Sequence, residues 1–196
     1  MNIFWLSLDF HQNASMYSNE HCIKIILEIT QCLFSALHHH GNLYEDDSWK
    51  DGMSKVYKQA HAKHPIVLWI SETPANFTTA LVQGLALCCE FRKRRNKEHA
   101  CERLLREMIP RIPDNEMFVP YKPDCVRATT NIPFNCTPVP VCCPKEYIMY
   151  NGSSADLTAS YINYYRHKKL RFDSGRIATF HILPELFADD YRKLFA

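Results

Sequence analysis

Residues 20–41, "EHCIKIILEITQCLFSALHHHG", decide the fold class, because they read as one long helix that is apolar almost all the way round. At about 100° per residue, its polar side chains fall within about 80° of arc. This polar stripe consists of His21, Lys24, Glu28, Gln31 and Ser35. Because a surface helix has a much wider polar face, the pattern predicts a buried helix over about residues 20–38 whose stripe faces a specific partner or site. Gly41 is a usual residue just after a helix, so we expect the helix to end there.

Helical spacing recurs in three further segments, over about residues 75–95, 97–108 and 154–170. Residues 2–8 predict a short strand or an extended start, and residues 176–182 predict a strand. A last short helix is expected after residue 184. The helices therefore dominate the predicted secondary structure.

Residues 109–145 contain eight prolines and show little periodicity, which predicts a long loop that wraps the core. We expect a mainly α, compact single-domain helical fold with a short N-terminal extended segment and this Pro-rich wrapping loop. Its parts are a helical core at 1–108 with the candidate active site, a Pro-rich extension at 109–153, and an aromatic-basic helix and tail at 154–196, packed on the same domain.

Composition limits the classes of function. A net charge of +2 with ten histidines is not that of a polycation, so any nucleic-acid affinity must come from local patches. Nine scattered cysteines without a CxxC motif indicate a reducing compartment. We therefore expect a protein of the cytoplasm or nucleus that is not secreted and does not span a membrane. We also expect no cofactor and no bound metal.

The polar stripe carries the first candidate chemistry. Glu28 follows Lys24 by four residues, so the two side chains can touch. A buried carboxylate beside an ammonium is costly unless it is paired, and such pairs have shifted pKa values. Two interpretations stay open: a satisfied internal ion pair, or the edge of an active site with Glu28 as general acid or base.

The second helix shows a similar arc of Asn76, Thr79, Gln83 and Glu90, which favours an ordinary amphipathic helix over a site. Before it, His61 and His64 have a spacing that can bind a metal. Because no acidic residue lies nearby in sequence, packing or phosphate contact is the favoured interpretation.

Two segments combine cations with other signals of nucleic-acid binding. Residues 92–97 place cations at a helix end. Because the helix dipole favours cations there in any case, a solvated helix end without a nucleic-acid partner is the alternative interpretation. In residues 161–171 three tyrosines precede a run of cations, and aromatic faces stack on bases while cations hold phosphates. The predicted contacts are Arg92, Arg94, Arg95, Tyr164, Tyr165, Arg166, Lys168 and Lys169.

The N-terminal "MNIF", "HCIKIILEITQ" at 21–31, "HAKHPIVLW" at 61–69 and "LVQGLALCCEF" at 81–91 resemble small phage and bacterial proteins. Those proteins are similar to the pyrimidine-dimer DNA glycosylase (phage endonuclease V) family, with a weaker similarity at "YINYYRHKK", residues 161–169. The resemblance implies a compact all-α fold. It also implies a histidine followed seven residues later by the catalytic glutamate, here His21 and Glu28.

The resemblance implies an enzyme that flips a base of double-stranded DNA and cuts its N-glycosidic bond, or that acts on a nucleotide. The family uses an N-terminal α-amine that forms a Schiff base with the sugar, after which β-elimination nicks the strand. Asn replaces the family's threonine at position 2, so the candidate amines are those of Met1 and Lys24.

In this interpretation Glu28 is the general acid or base, and His21 orients the site or contacts phosphate. The expected pocket residues are Asp9, His61, His64 and Asn76. Two alternatives of other classes remain. One is a non-catalytic nucleic-acid-binding protein on the same fold. The other is a metal-dependent hydrolase that uses Asp9 with His11, His21, His61 or His64.

Overall fold

The long apolar stretch forms the central helix, α2 (Asn19–Tyr44), of a computed structural model that describes residues 2–44, 50–114, 116 and 125–195. Ser18 caps this helix, since its Oγ accepts a hydrogen bond from the His21 N–H at 3.2 Å. Gly41 lies inside the helix, so the prediction that the helix ends there was wrong. A glycine inside a helix costs only about 1 kcal/mol relative to alanine, and the helix continues through it.

Four more helices lie in the first part of the chain. They are α1 (Phe10–Met16), α3 (Pro65–Glu72), α4 (Pro74–Arg95) and α5 (Glu102–Glu107). Two of them, α3 and α4, pack on α2, and the other two, α1 and α5, pack on α4. Proline at the first position of both α3 and α4 fits, because the N–H that it lacks has no partner inside a helix. A Cβ on Gly84 would lie 3.1 Å from Ile29 Cγ2, so glycine lets α4 approach α2 closely.

The predicted Pro-rich loop at 109–145 contains two strands and two more follow it, so this part of the chain forms a small sheet. The strands are β1 (Arg127–Thr130), β2 (Val139–Pro140), β3 (Met149–Asn151) and β4 (Ser154–Asp156), in the order β2-β1-β4-β3. β1 is antiparallel to β2 and parallel to β4, and β3 and β4 form an antiparallel pair. Pro140 lies on the edge strand β2, where a missing N–H is tolerated.

The C-terminal part begins with α6 (Leu157–Tyr164), which continues into a π-helical turn at Tyr165–Lys169. The predicted helix was three residues too long at its start, because 154–156 form β4. The predicted strand at 176–182 reduces to a single bridge between Arg171 and Ile177. The predicted last helix is short: a 3₁₀ turn at Glu185–Phe187 leads into α7 (Ala188–Arg192).

The N-terminal segment Ile3–Leu6 is extended and buried, but it does not pair with a strand. Its backbone bonds to side chains of α1 and the turn that follows: the Leu6 N–H donates to Asn13 Oδ1 at 2.8 Å, and the Phe4 N–H donates to Tyr17 Oη at 2.8 Å. One buried apolar cluster runs from this segment to Phe187. The protein is therefore mostly helical, at 53%, with seven helices and a small four-stranded mixed sheet among the described residues.

Candidate active site

Glu28 lies where the N-terminal segment crosses α2. Its Oε2 accepts a hydrogen bond from the backbone N–H of Asn2 at 2.9 Å, and its Oε1 lies 3.4 Å from Lys24 Nζ. The Glu28 side chain is 13% exposed and that of Lys24 is 68% exposed. The carboxylate is therefore held on two sides while it still reaches solvent, which a group that transfers protons to a substrate needs.

The face of α2 around Glu28 is open, although the sequence predicted a helix buried on every side. Ile23 is 39% exposed and Leu27 is 38% exposed, and both flank the Lys24–Glu28 pair. Because Lys24 is surrounded largely by water, the expected desolvation of its amine does not occur. The open face instead offers apolar surface at Ile23 and Leu27 that a ligand can contact.

Asn2 is a site residue that sequence reasoning missed. Its Nδ2 donates to the carbonyl oxygen of Cys142 at 2.7 Å, and its Oδ1 accepts from the hydroxyl of Tyr161 at 2.8 Å. The Cys142 N–H donates to Tyr161 Oη at 3.0 Å, which closes a small ring of hydrogen bonds. This ring fixes the position of the backbone N–H that Glu28 accepts.

His21 is buried beside the site and is hydrogen-bonded through Nδ1. Nδ1 lies 2.8 Å from Tyr165 Oη, which accepts a hydrogen bond from the Ser18 N–H at 2.7 Å. The Tyr165 hydroxyl therefore donates to Nδ1, and the proton of the neutral imidazole is assigned to Nε2. Burial, followed by the charges of Lys169 and Lys24, lowers the pKa of His21 to about 4. A neutral His21 can orient neighbours, but it does not offer a phosphate a positive charge.

Aromatic rings of α6 and of the π turn pack close to Phe4 and His21. Phe4 packs against Tyr164 with ring centroids 6.2 Å apart, and Tyr164 packs against Tyr147 at 5.3 Å. Lys169 Nζ lies 4.8 Å from the centroid of the Tyr164 ring, and the Lys169 charge acts on His21. Tyr165 is fully buried, so it cannot stack on a base as predicted. The surface that remains for aromatic contact is Tyr147 and Tyr164 with Lys169.

The other predicted cations divide into held and exposed side chains. Arg94 is 3% exposed and bonds to Glu90 Oε1 at 2.7 Å, so its predicted nucleic-acid contact is replaced by a structural role. Arg92 is paired with Glu102, and Arg166 is paired with Asp190 at 3.2 Å. Arg92 is nevertheless 43% exposed, and Arg95 and Lys168 are exposed as well.

The predicted pocket residues have local, structural contacts. Asp9 is exposed and caps α1 by accepting from the Gln12 N–H at 2.7 Å. His61 is exposed with φ of 52°, and His64 caps α3 by accepting from the Ile66 N–H at 3.2 Å.

Asn76 is buried and donates to the Trp69 carbonyl oxygen at 2.7 Å and to Thr137 Oγ1 at 2.8 Å. Its contacts join α3, α4 and the segment before β2, so they stabilise the fold. The predicted amine of Met1 lies outside the described residues.

Two further expectations concern metals and membranes. Within residues 2–44, 50–114, 116 and 125–195, no three His, Cys, Asp or Glu side chains are placed to hold one metal ion. None of the helices described is both long enough and apolar enough to cross a bilayer.

Comparison with known proteins gives no relative on which to base an assignment. No family model, no curated protein and no solved structure matches this chain. The similarity to the pyrimidine-dimer DNA glycosylase family rests on the sequence segments quoted above, and it stays a prediction.

Proposed function

We propose that this protein is a DNA-processing enzyme of the glycosylase type, which cuts the N-glycosidic bond of a damaged or modified pyrimidine. The observation that supports this proposal most is the contact of Glu28 Oε2 with the backbone N–H of Asn2 at 2.9 Å. It brings the start of the described chain to a solvent-reaching carboxylate. In the similar family, the nucleophilic amine lies at that end of the chain.

The chemistry assigns one step to each group. An amine attacks the sugar C1′, the bond between C1′ and the base breaks, and the base leaves with a proton. Glu28 moves the proton between the amine and the sugar or base. The candidate amines are Lys24, which lies 3.4 Å from the carboxylate, and the α-amine of Met1. A water molecule activated by Glu28 is the alternative nucleophile, and it would leave no covalent adduct.

Exposed or partly exposed apolar, aromatic and basic side chains on α2 and at the end of α6 suit contact with a nucleic acid. Ile23 and Leu27 offer apolar contact to a flipped base, and Tyr164 offers an aromatic face. Lys168 is exposed and Lys169 lies over the Tyr164 ring, so both can contact phosphates. Binding would therefore be salt-sensitive and would read little sequence.

The test is cleavage of duplex oligonucleotides that carry a cyclobutane dimer, an abasic site or a modified pyrimidine, with and without borohydride. Glu28→Gln is expected to lower the cleavage rate at least about a hundredfold, because it removes the proton-transfer group. Its amide oxygen can still accept from the Asn2 N–H, so the fold is retained. Glu98→Gln, the same change at an exposed carboxylate, is the matched control and keeps full activity.

The outcomes separate the candidate mechanisms. A borohydride-trapped adduct shows an amine nucleophile, and peptide mapping of the adduct, together with Lys24→Met, distinguishes Lys24 from Met1. Cleavage without an adduct shows a water nucleophile. Equal cleavage by wild type and Glu28→Gln would contradict the role of Glu28.

The exposure of Lys24 favours one second candidate, a DNA-binding protein without chemistry. A lysine becomes a nucleophile when apolar surroundings or a neighbouring cation remove its proton, whereas Lys24 is exposed and paired with a carboxylate. Salt-sensitive binding of all these duplexes with no cleavage of any would support this candidate.

A further inference from the structure

The antiparallel pairing of β1 and β2 extends beyond the two strands and places two cysteines opposite each other. The Val141 N–H donates to the Val126 carbonyl oxygen at 2.9 Å, in the register that the strands set. The next facing pair in that register is Cys125 and Cys142. Because hydrogen-bonded and non-hydrogen-bonded pairs alternate, this is a non-hydrogen-bonded pair, whose Cα atoms lie about 4.5 Å apart and whose side chains lie close.

The two thiols meet at a cavity. The Cys125 and Cys142 side chains are close enough to shift each other's pKa, and no disulfide joins them. They line a cavity of about 310 Å³ together with Cys143 and Lys145. A Cα separation of about 4.5 Å lies within the range that a disulfide spans. The cavity gives a small oxidant access to the pair.

The two thiols differ in acidity in a way that gives each a role. The hydrogen bond from Cys142 lowers the pKa of Cys125, and the charge of Arg127 lowers it further against the opposing effect of burial. The same hydrogen bond, together with burial, raises the pKa of Cys142. Because a thiolate is the attacking species, Cys125 would react first and Cys142 would resolve the intermediate.

We propose that Cys125 and Cys142 are a redox-active dithiol that forms a reversible cross-strand disulfide with a low-molecular-weight disulfide as oxidant. The Cys125 thiolate attacks one sulfur of the oxidant, and one small thiolate leaves. Cys142 then gives up its proton and attacks the Cys125 sulfur, and the second small thiolate leaves. Two protein thiols are oxidised and one small disulfide is reduced to two thiols. An excess of small thiol reverses both steps.

The pair is connected to Glu28 through a short chain of hydrogen bonds. The Cys142 carbonyl oxygen accepts from Asn2 Nδ2 at 2.7 Å, and the Asn2 N–H donates to Glu28 Oε2 at 2.9 Å. A disulfide favours a Cα separation of about 5.5–6 Å, so closing the bond shifts the Cys142 backbone and thereby Asn2. The effect on catalysis rests on the function proposed above, whereas the disulfide itself does not.

The experiment equilibrates the reduced full-length protein in buffers of glutathione and glutathione disulfide, blocks remaining thiols with N-ethylmaleimide, and maps peptides by mass spectrometry. A peptide pair joined through Cys125 and Cys142 is expected before any other cysteine reacts. Cys143→Ser, a change of the neighbouring cysteine in the same cavity, retains this bond. Cys142→Ser instead retains one glutathione on Cys125. A first bond through Cys143 or Cys32, or no bond at Cys125, would overturn the proposal.

Two readouts then measure the connection to Glu28. Amide hydrogen exchange at Asn2 is expected to change on oxidation in the wild type and not in Cys142→Ser. Cleavage is expected to change at least about fivefold, the smallest coupling usual between two sites, and to recover with dithiothreitol. Because mapping and exchange do not need an active enzyme, failure of the proposed function leaves the disulfide tested. An oxidised pair with unchanged Asn2 exchange would disprove the connection.

Discussion

The helices α2 and α4 both carry a line of polar side chains among apolar ones, and the structure gives the two lines different surroundings. On α4, Asn76 is buried and bonds to Trp69 and Thr137, and Glu90 is buried and bonds to Arg94. On α2, Glu28 reaches solvent. Polar side chains whose partners belong to the fold stabilise it, whereas a solvent-reaching carboxylate held by the backbone is available to a substrate.

The largest expected change in the free energy of unfolding comes from Arg94, which tests whether the polar side chains of α4 stabilise the fold. Arg94→Met removes the buried partner of Glu90 and the donor to the Tyr17 carbonyl oxygen at 2.8 Å, and leaves Glu90 only the exposed Lys93 at 3.9 Å. Breaking a buried ion pair on one side costs about 3–5 kcal/mol, and we expect a loss near the lower end because Lys93 remains. Urea denaturation measures the loss. Arg95→Met, the adjacent exposed arginine, should change stability by less than about 0.5 kcal/mol; equal effects at both positions would remove the distinction.

The next effect concerns the buried end of the α2 stripe. The folded-state pKa of His21 is about 4, below its ordinary 6.5, because burial and then the charges of Lys169 and Lys24 disfavour the imidazolium. Between these two values the unfolded chain binds a proton that the folded chain does not, so the free energy of unfolding falls as the pH falls. The full loss is on the order of 3 kcal/mol, since a tenfold change in proton affinity is about 1.4 kcal/mol.

Urea denaturation at several pH values between 7 and 4, in the wild type and in His21→Asn, measures this loss in the free energy of unfolding. His40 and His99 have pKa values lowered in the same direction and are present in both proteins. The difference between the two pH profiles therefore isolates His21. If the two pH profiles run parallel, His21 binds its proton equally well in the folded and the unfolded chain, which would contradict the lowered pKa.

The smallest expected effect is a gain in stability rather than a loss, and it comes from Gln83 on α4. Gln83 is fully buried, and neither of its amide atoms has a hydrogen-bond partner among the described residues. Gln83→Met keeps the length of the side chain and removes the unsatisfied groups, so stability should rise by about 1 kcal/mol. The same urea assay measures it. A loss of stability would show that the amide is satisfied in solution, and the α4 line would then be wholly paired.

The sequence predicts the helices better than it predicts their ends. The apolar pattern of residues 20–41 correctly indicates α2, because a long helix repeats its period many times. The four strands were missed because they are two to four residues long, too short to show alternation, and because prolines around them indicate loop. Gly41 was misread as a helix end because a terminal glycine and a tolerated internal one look alike in sequence.

The candidate site was predictable only where its contacts are local. The spacing of Lys24 and Glu28 correctly predicts their contact, because four residues make one turn of helix. The contacts of Asn2 with Glu28, Cys142 and Tyr161 span 26, 140 and 159 residues, and no local pattern encodes them. The burial of Tyr165 was equally hidden, since its segment looks like an exposed basic helix.

The hydrogen bond from the Ser18 N–H to Tyr165 Oη joins residues 147 positions apart, and this separation has a consequence for protein synthesis. At roughly 5–20 residues per second, a ribosome adds Tyr165 roughly 7–30 s after Ser18. During that interval the nascent chain contains Glu28 and His21 but not the tyrosine hydroxyl that orients the imidazole. The hydrogen bonds of His21 are therefore completed late in translation, and a chain stalled before residue 165 would expose its N-terminal aromatic residues to chaperones.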